Sequence, residues 1–261
     1  MIVFLCDWSE YNRKAILGNV WYSFFMRLHR FYIETPITEK IFDITDRDLV
    51  HQWRSVFRYN VGSQVILFDG SGTDYFAMIT SLRNLGATVS VFQKSANNTT
   101  HKRHVWLCMA LIKKDNFEWV VQKATELGVT HIVPILSERT EKKKINMERL
   151  HKIAIEASEQ SGRGDVPAIH EADTLAHVLE SGMLPEHIAI LHFGGVPLAQ
   201  YVAHLGHNDD PLAIFVGPEG GWTDGEIEAC KHRALSLVSL GSATLRAETA
   251  AIAAASMILL Q

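Results

Sequence analysis

The chain has 261 residues, 47% of them hydrophobic and 21% charged, with a formal net charge of -4. That balance is globular and excludes a disordered chain or a coiled coil; with no cationic excess, any polyanion must be held by local Lys and Arg clusters. Cys6, Cys108 and Cys230 are widely separated and form no C-x-x-C, which fits a reducing compartment, and the apolar runs fall short of the roughly 18 to 20 residues of a membrane span, so a cytoplasmic protein is expected.

Along the chain, residues 1–25 open on an apolar run that Asp7, Glu10, Arg13 and Lys14 soon interrupt, with no cleavage pattern of a secretory signal. Met26 is followed by Arg27-Leu28-His29-Arg30-Phe31-Tyr32-Ile33, a natural opening strand, so residues 1–25 are expected to be an extension ahead of the fold. Strands are predicted over 30–33, 61–68, 75–82 and 88–92, with one helix over 46–56 and turns at Asp69-Gly70-Ser71-Gly72 and Asn84-Leu85-Gly86. Short strands joined by tight turns predict a small β-barrel over 26–97, and the polar stretch 94–103 reads as a linker.

From His104 the pattern alternates: strand 105–111, helix 116–127 closed by Gly128, strand 131–136, helix 147–160, strands 188–193 and 212–216, helix 224–232, strand 235–240 and a last helix from Glu248. Such alternation predicts an α/β domain over 98–261 with a mostly parallel sheet covered on both faces.

Two segments concentrate the chemistry. Ile214-Phe215-Val216-Gly217-Pro218-Glu219-Gly220-Gly221-Trp222-Thr223-Asp224 runs an apolar strand into a glycine-rich loop and then into a helix that Thr223 or Asp224 can cap. Its spacing matches neither the dinucleotide fingerprint nor the P-loop, and a plain tight connection would explain the glycines equally well. Leu240-Gly241-Ser242-Ala243-Thr244-Leu245-Arg246-Ala247-Glu248-Thr249-Ala250 repeats the strand, turn, helix order and places Arg246 and Glu248 at the sheet edge where open α/β folds bind ligands, although a surface ion pair between the two would also account for them. Ala250-Ala251-Ile252-Ala253-Ala254-Ala255 is a small-residue face suited to core packing or a subunit contact. The 13 histidines include no H-E-x-x-H and no G-x-S-x-G is present, so neither a metal site nor a serine hydrolase is expected.

With Gln122-Lys123-Ala124-Thr125-Glu126-Leu127-Gly128-Val129 and Glu159-Gln160-Ser161-Gly162-Arg163, these segments stand in an order that resembles the bacterial 16S rRNA (uracil-N3)-methyltransferases from about Met26 onward. The resemblance implies a PUA-like N-terminal β-barrel that contacts RNA, a C-terminal SPOUT domain with a trefoil knot, a homodimer, and S-adenosylmethionine as methyl donor. It maps donor binding onto Leu191, His192, Phe193 and Gly194, onto Val216, Gly217, Pro218, Glu219, Gly220 and Gly221, and onto Leu240, Gly241, Leu245 and Arg246. Ala247 departs from the family pattern, where a larger or polar residue is expected. Gln160 and Arg163 become candidates for the target nucleotide, where the residues alone suggest only a helix cap. Arg27, Arg30, Arg139, Lys142 and Lys143 become candidates for RNA in the small ribosomal subunit, where the charges alone read as solvated surface.

Removing the N3 proton of uracil creates an anion that a cation can stabilise, a role assigned to Arg246, while a carboxylate such as Glu248 or Glu219 could accept the proton or orient Arg246. A SPOUT enzyme acting on tRNA or a ribose 2′-hydroxyl, and a non-catalytic RNA-binding assembly protein, are the competing readings.

Overall fold

The computed structural model describes residues 28–99, 103–140, 144–205 and 209–260. The expected extension over 1–25, Arg27, Lys142 and Lys143 lie outside these residues. Two sheets organise the chain, one before and one after the segment around residue 100.

The first sheet is built from β1 (Arg30–Tyr32), β2 (Ile41–Ile44), β3 (Gln64–Phe68), β4 (Thr73–Leu82) and β5 (Ala87–Ala96), with α1 (Arg47–Ser55) between β2 and β3. Its order is β1-β3-β4-β5-β2, parallel between β1 and β3 and antiparallel elsewhere. Asp46 caps α1 by accepting from the backbone of Asp48 and Leu49, and the helix buries Leu49, Val50 and Trp53 against Phe31, Leu67 and Ile79. β5 runs to Ala96, so pairing with β4 claims the first residues of the expected linker. β2 was not predicted.

The second sheet has β6 (Val105–Ala110), β7 (His131–Leu136), the two-residue β8 (Ala168–Ile169) and β9 (Asp173–Thr174), β10 (His187–Pro197), β11 (Leu212–Val216) and β12 (Ser236–Ser239). All of its pairings are parallel, in the order β12-β10-β11-β6-β7-β8, with β9 also on β7. Between these strands lie α2 (Lys114–Leu127), α3 (Met147–Ser161), α4 (Leu175–Glu180), α5 (Leu198–Ala203) and α6 (Asp224–His232), and α7 (Ala247–Leu259) follows β12. Alternation along β11 shows why both faces are covered: Leu212, Ile214 and Val216 join the core under α2 and α7, while Ala213 and Phe215 join the core under α6 with Trp222 and Ile227. No helix of the described residues is long and apolar enough to cross a membrane.

The sheets are joined at the end of α3. Arg30 makes a bidentate pair with Asp74 at 2.5 and 2.8 Å and donates to the Arg163 carbonyl, Glu159 accepts from the Tyr32 backbone at 3.0 Å, and the Asn97 side chain donates to Asp74 and to the Gly162 carbonyl. A Cβ on Gly164 would lie 2.8 Å from that of Asn97, so glycine is what allows this approach.

Candidate functional site

Three loops, one inside β10 and two at the carboxyl ends of β11 and β12, converge on one cavity of about 550 Å³. The first loop interrupts β10 itself. Both Leu191 and Val196 register with Val238, so residues 192–195 bulge out of the ladder, and Gly194 adopts φ +79° there. The second is the turn Pro218 to Gly221, closed by the Gly221 N–H donating to the Pro218 carbonyl at 2.8 Å, before Thr223 and Glu226 form a reciprocal capping box on α6. The third follows β12, where Gly241 at φ +115° donates to Ser239 Oγ, and it ends at Arg246, the N-cap of α7.

Leu191, His192, Phe193, Val216, Gly217, Pro218, Glu219, Gly220, Gly221, Leu240, Gly241, Leu245 and Arg246 all line this cavity. Gly194 does not; its part is to turn the bulge. Trp222, Ala243, Thr244, Ala247 and Ala250 also line it. The walls suit a ligand that is part apolar ring and part polar chain, because leucine and tryptophan side chains alternate with exposed backbone. A Cβ on Gly217 would come within 3.2 Å of the Trp222 indole, and one on Gly220 within 3.3 Å of Arg139 Cδ, so side chains here would fill the space. The buried indole N–H of Trp222 has no hydrogen-bond partner among the described residues. Ala247, the departure noted above, is 6% exposed and packed in the core, where a small side chain fits.

A second cavity of about 640 Å³ adjoins the first, sharing Arg139, Glu219, Gly220 and Arg246, and is completed by Leu111, Ile112, Lys113, Asn116 and Glu248. Residues 111–113 follow the carboxyl end of β6, the neighbour of β11, so the sheet-edge rule applied to β6 would have found them. Its lining carries Lys113, Arg139 and Arg246 against Glu219 and Glu248. The N-termini of α2 and α7 meet here, both without a side-chain cap, and their free amides add positive potential. Glu248 accepts from the Asn116 amide at 3.2 Å.

Arg139 was expected on RNA. It is placed between the two cavities, with Nη1 donating to the Gly220 carbonyl at 2.7 Å and the Trp222 carbonyl at 3.4 Å. Its loop is fastened by Glu226, 7% exposed, which accepts from the Glu138 backbone through Oε1 and from the Thr223 backbone through Oε2.

Three other expected contacts lie away from these cavities. Gln160 is exposed at the end of α3. Arg163 is 4% exposed, and its guanidinium donates to the Thr125 and Val129 carbonyls and to both Asp165 oxygens. It is therefore a structural tie between α2 and α3, not a free contact for a nucleotide. Arg30 is likewise engaged within the fold, its guanidinium pairing with Asp74 and lying over Phe68.

The model of a family described as RNA methyltransferase domain matches residues 99–259. The chain is 32% identical to ribosomal RNA small subunit methyltransferase E of Rickettsia conorii over 89% of its length and 96% of that protein. The enzyme of the same name from Synechocystis is also 32% identical, over 90% of this chain and 78% of that one. Among solved structures, ribosomal RNA small subunit methyltransferase E from Neisseria gonorrhoeae bound to S-adenosyl methionine superposes with a TM-score of 0.78 at 28% identity, covering 88% of this chain and 95% of that one.

Proposed function

From the fact that this chain belongs to the RNA methyltransferase domain family, we propose that it is an S-adenosylmethionine-dependent methyltransferase acting on N3 of a uridine in 16S rRNA of the small ribosomal subunit. The observation that carries this reading is the convergence of the bulge within β10 and the loops after β11 and β12 on one cavity next to a second, cation-rich one.

Leu191, Leu240, Leu245 and Trp222 supply apolar walls for the adenosine end of the donor, and the glycine backbone of 217–221 supplies close polar approach. When bound, the donor brings an electrophilic methyl group on a sulfonium. The second cavity receives the uracil. There Arg246 and the first-turn amides of α2 and α7 stabilise the negative charge that develops on the uracil oxygens as N3 loses its proton, and a carboxylate at the cavity, Glu219 or Glu248, takes that proton.

The same reading assigns residues 26–97 to a PUA-like RNA-binding barrel and 98–261 to a knotted SPOUT domain. In support of the knot, β12 flanks β10 on the outside, yet α7, which follows it, packs back on β11 and β6, so segment 240–246 returns across β10. Exposed Phe193, Val196 and Leu245 beside the cavity support a homodimer. A cytoplasmic place agrees with a ribosomal substrate.

The test is methyl transfer from labelled donor to small subunits and to free RNA lacking the modification, followed by nucleoside analysis. The expected product is 3-methyluridine; a product methylated on a ribose, or on tRNA alone, would overturn the assignment. Arg246→Ala is expected to lower kcat by roughly 100- to 1,000-fold while leaving the melting temperature unchanged.

A further inference from the structure

We infer that Asn116 is a positioning residue that aims Glu248 into the second cavity, so that Glu248, and not Glu219, takes the proton from N3 of the target base. This rests on the proposed function and deepens it. The N3–H bond breaks toward a Glu248 oxygen, the pair left on N3 forms the new N–CH3 bond, and the pair of the broken S–CH3 bond stays on sulfur; the proton leaves later to solvent.

Both carboxylates border the cavity, but they are held differently. Glu219 sits at the exposed tip of the Pro218 to Gly221 turn and has no hydrogen-bond or ion-pair partner among the described residues. Glu248 lies in the first turn of α7 and is half-buried, with one oxygen on the Asn116 amide. An ionised carboxylate only accepts, so the contact fixes the orientation of the amide, with its NH2 toward Glu248. The partner of Glu248 is Asn116 and not Arg246, which leaves Arg246 for the substrate and removes the need for Glu248 to orient it. The two residues stand on helices packed on each other, α2 burying Val120 and Ala124 and α7 burying Ala251, Ala254 and Ala255 in one core, so their separation is set by rigid elements. A base that abstracts a proton in competition with water needs that fixity, and a turn tip provides less of it.

The test uses full-length protein, small subunits lacking the modification, and calorimetry with S-adenosylhomocysteine. Asn116→Ala and the near-isosteric Asn116→Asp are each expected to lower kcat roughly tenfold to a hundredfold, with KM for subunits and affinity for S-adenosylhomocysteine within about twofold of the parent. Both should move the acidic limb of the kcat against pH profile, Glu248→Gln should lose at least as much and more than Glu219→Gln, and Asn116→Ala should cost nothing further in the Glu248→Gln background. Parental kcat in both Asn116 variants, or a collapse of kcat in Glu219→Gln with Glu248→Gln unaffected, would overturn the inference while the enzyme remains a methyltransferase. A parent that transfers no methyl group would instead count against the reading of the site itself.

Discussion

Arg163 and Arg246 are both arginines at helix ends, and their surroundings give them opposite tasks. Arg246 has an exposed guanidinium bordering both cavities, whereas Arg163 spends its donors on two backbone carbonyls and Asp165 inside the fold. Lysine offers a compact point charge that cannot reproduce that fork, so Arg163→Lys is expected to destabilise the protein by about 2 to 4 kcal/mol in denaturant unfolding, while methylation per folded molecule stays near the parent value. A variant of parental stability that lost methylation would restore Arg163 to the RNA. The sequence drew the eye to Glu159-Gln160-Ser161-Gly162-Arg163 for a sound reason: two glycines shortly after a helix, with an arginine between them, mark a special backbone. What it could not show is that the ligand of this backbone is the protein's own first sheet, because the Arg30 and Asn97 that face it are distant in the chain.

At the scale of elements, Glu226 is the fastening between two walls of the site. One oxygen holds the loop after β7, which carries Arg139, and the other holds the loop after β11, which carries the glycines. Glu226→Gln places an amide NH2 against a backbone N–H, and is expected to weaken S-adenosylhomocysteine binding by about 1 to 3 kcal/mol in calorimetry, roughly fivefold to 150-fold in Kd. Undiminished affinity would show that the loops hold their places without it. The elements themselves were legible where burial is two-sided or a cap is unambiguous: β7, β11 and α6 keep their expected bounds, and Gly128 closes α2 in the left-handed conformation. They were illegible where length is too short to show a period, as in the six-residue α4 and α5 and the two-residue β8 and β9. β2, with Asp43 between Phe42 and Ile44, has too little alternation to stand out, and only its pairing with β5 defines it. β10 outran its expected end because pairing with β12 resumes beyond the bulge, at Val196 and Pro197.

The whole molecule depends on the joint between its sheets, and Glu159 makes that joint sensitive to pH. Burial raises its carboxyl to about 7 from the usual 4.5; the backbone N–H of Tyr32 and the charge of Arg30 pull it down, and Glu156 pushes it up. The folded state therefore holds a proton that the unfolded chain releases between about pH 4.5 and 7. From this group alone, stability is full below pH 4.5 and declines as pH rises to 7, with a slope of at most about 1.4 kcal/mol per pH unit. Glu159→Gln is expected to flatten that part of the stability profile, measured by denaturant unfolding from pH 5 to 8; an unchanged slope would show that Glu159 ionises freely in the fold.

The strand order has a consequence for synthesis. β6 cannot acquire its inner neighbour until β11, about a hundred residues later, has left the ribosome, and the cavity of the three loops has no third wall until residues 240–250 follow. The first sheet meets no such delay, since β4 pairs with β3, and β5 with β4 and β2, as they emerge. A nascent chain thus presents its first sheet to the surroundings well before it can hold a methyl donor, and nothing bound at the site can assist the early stages of folding.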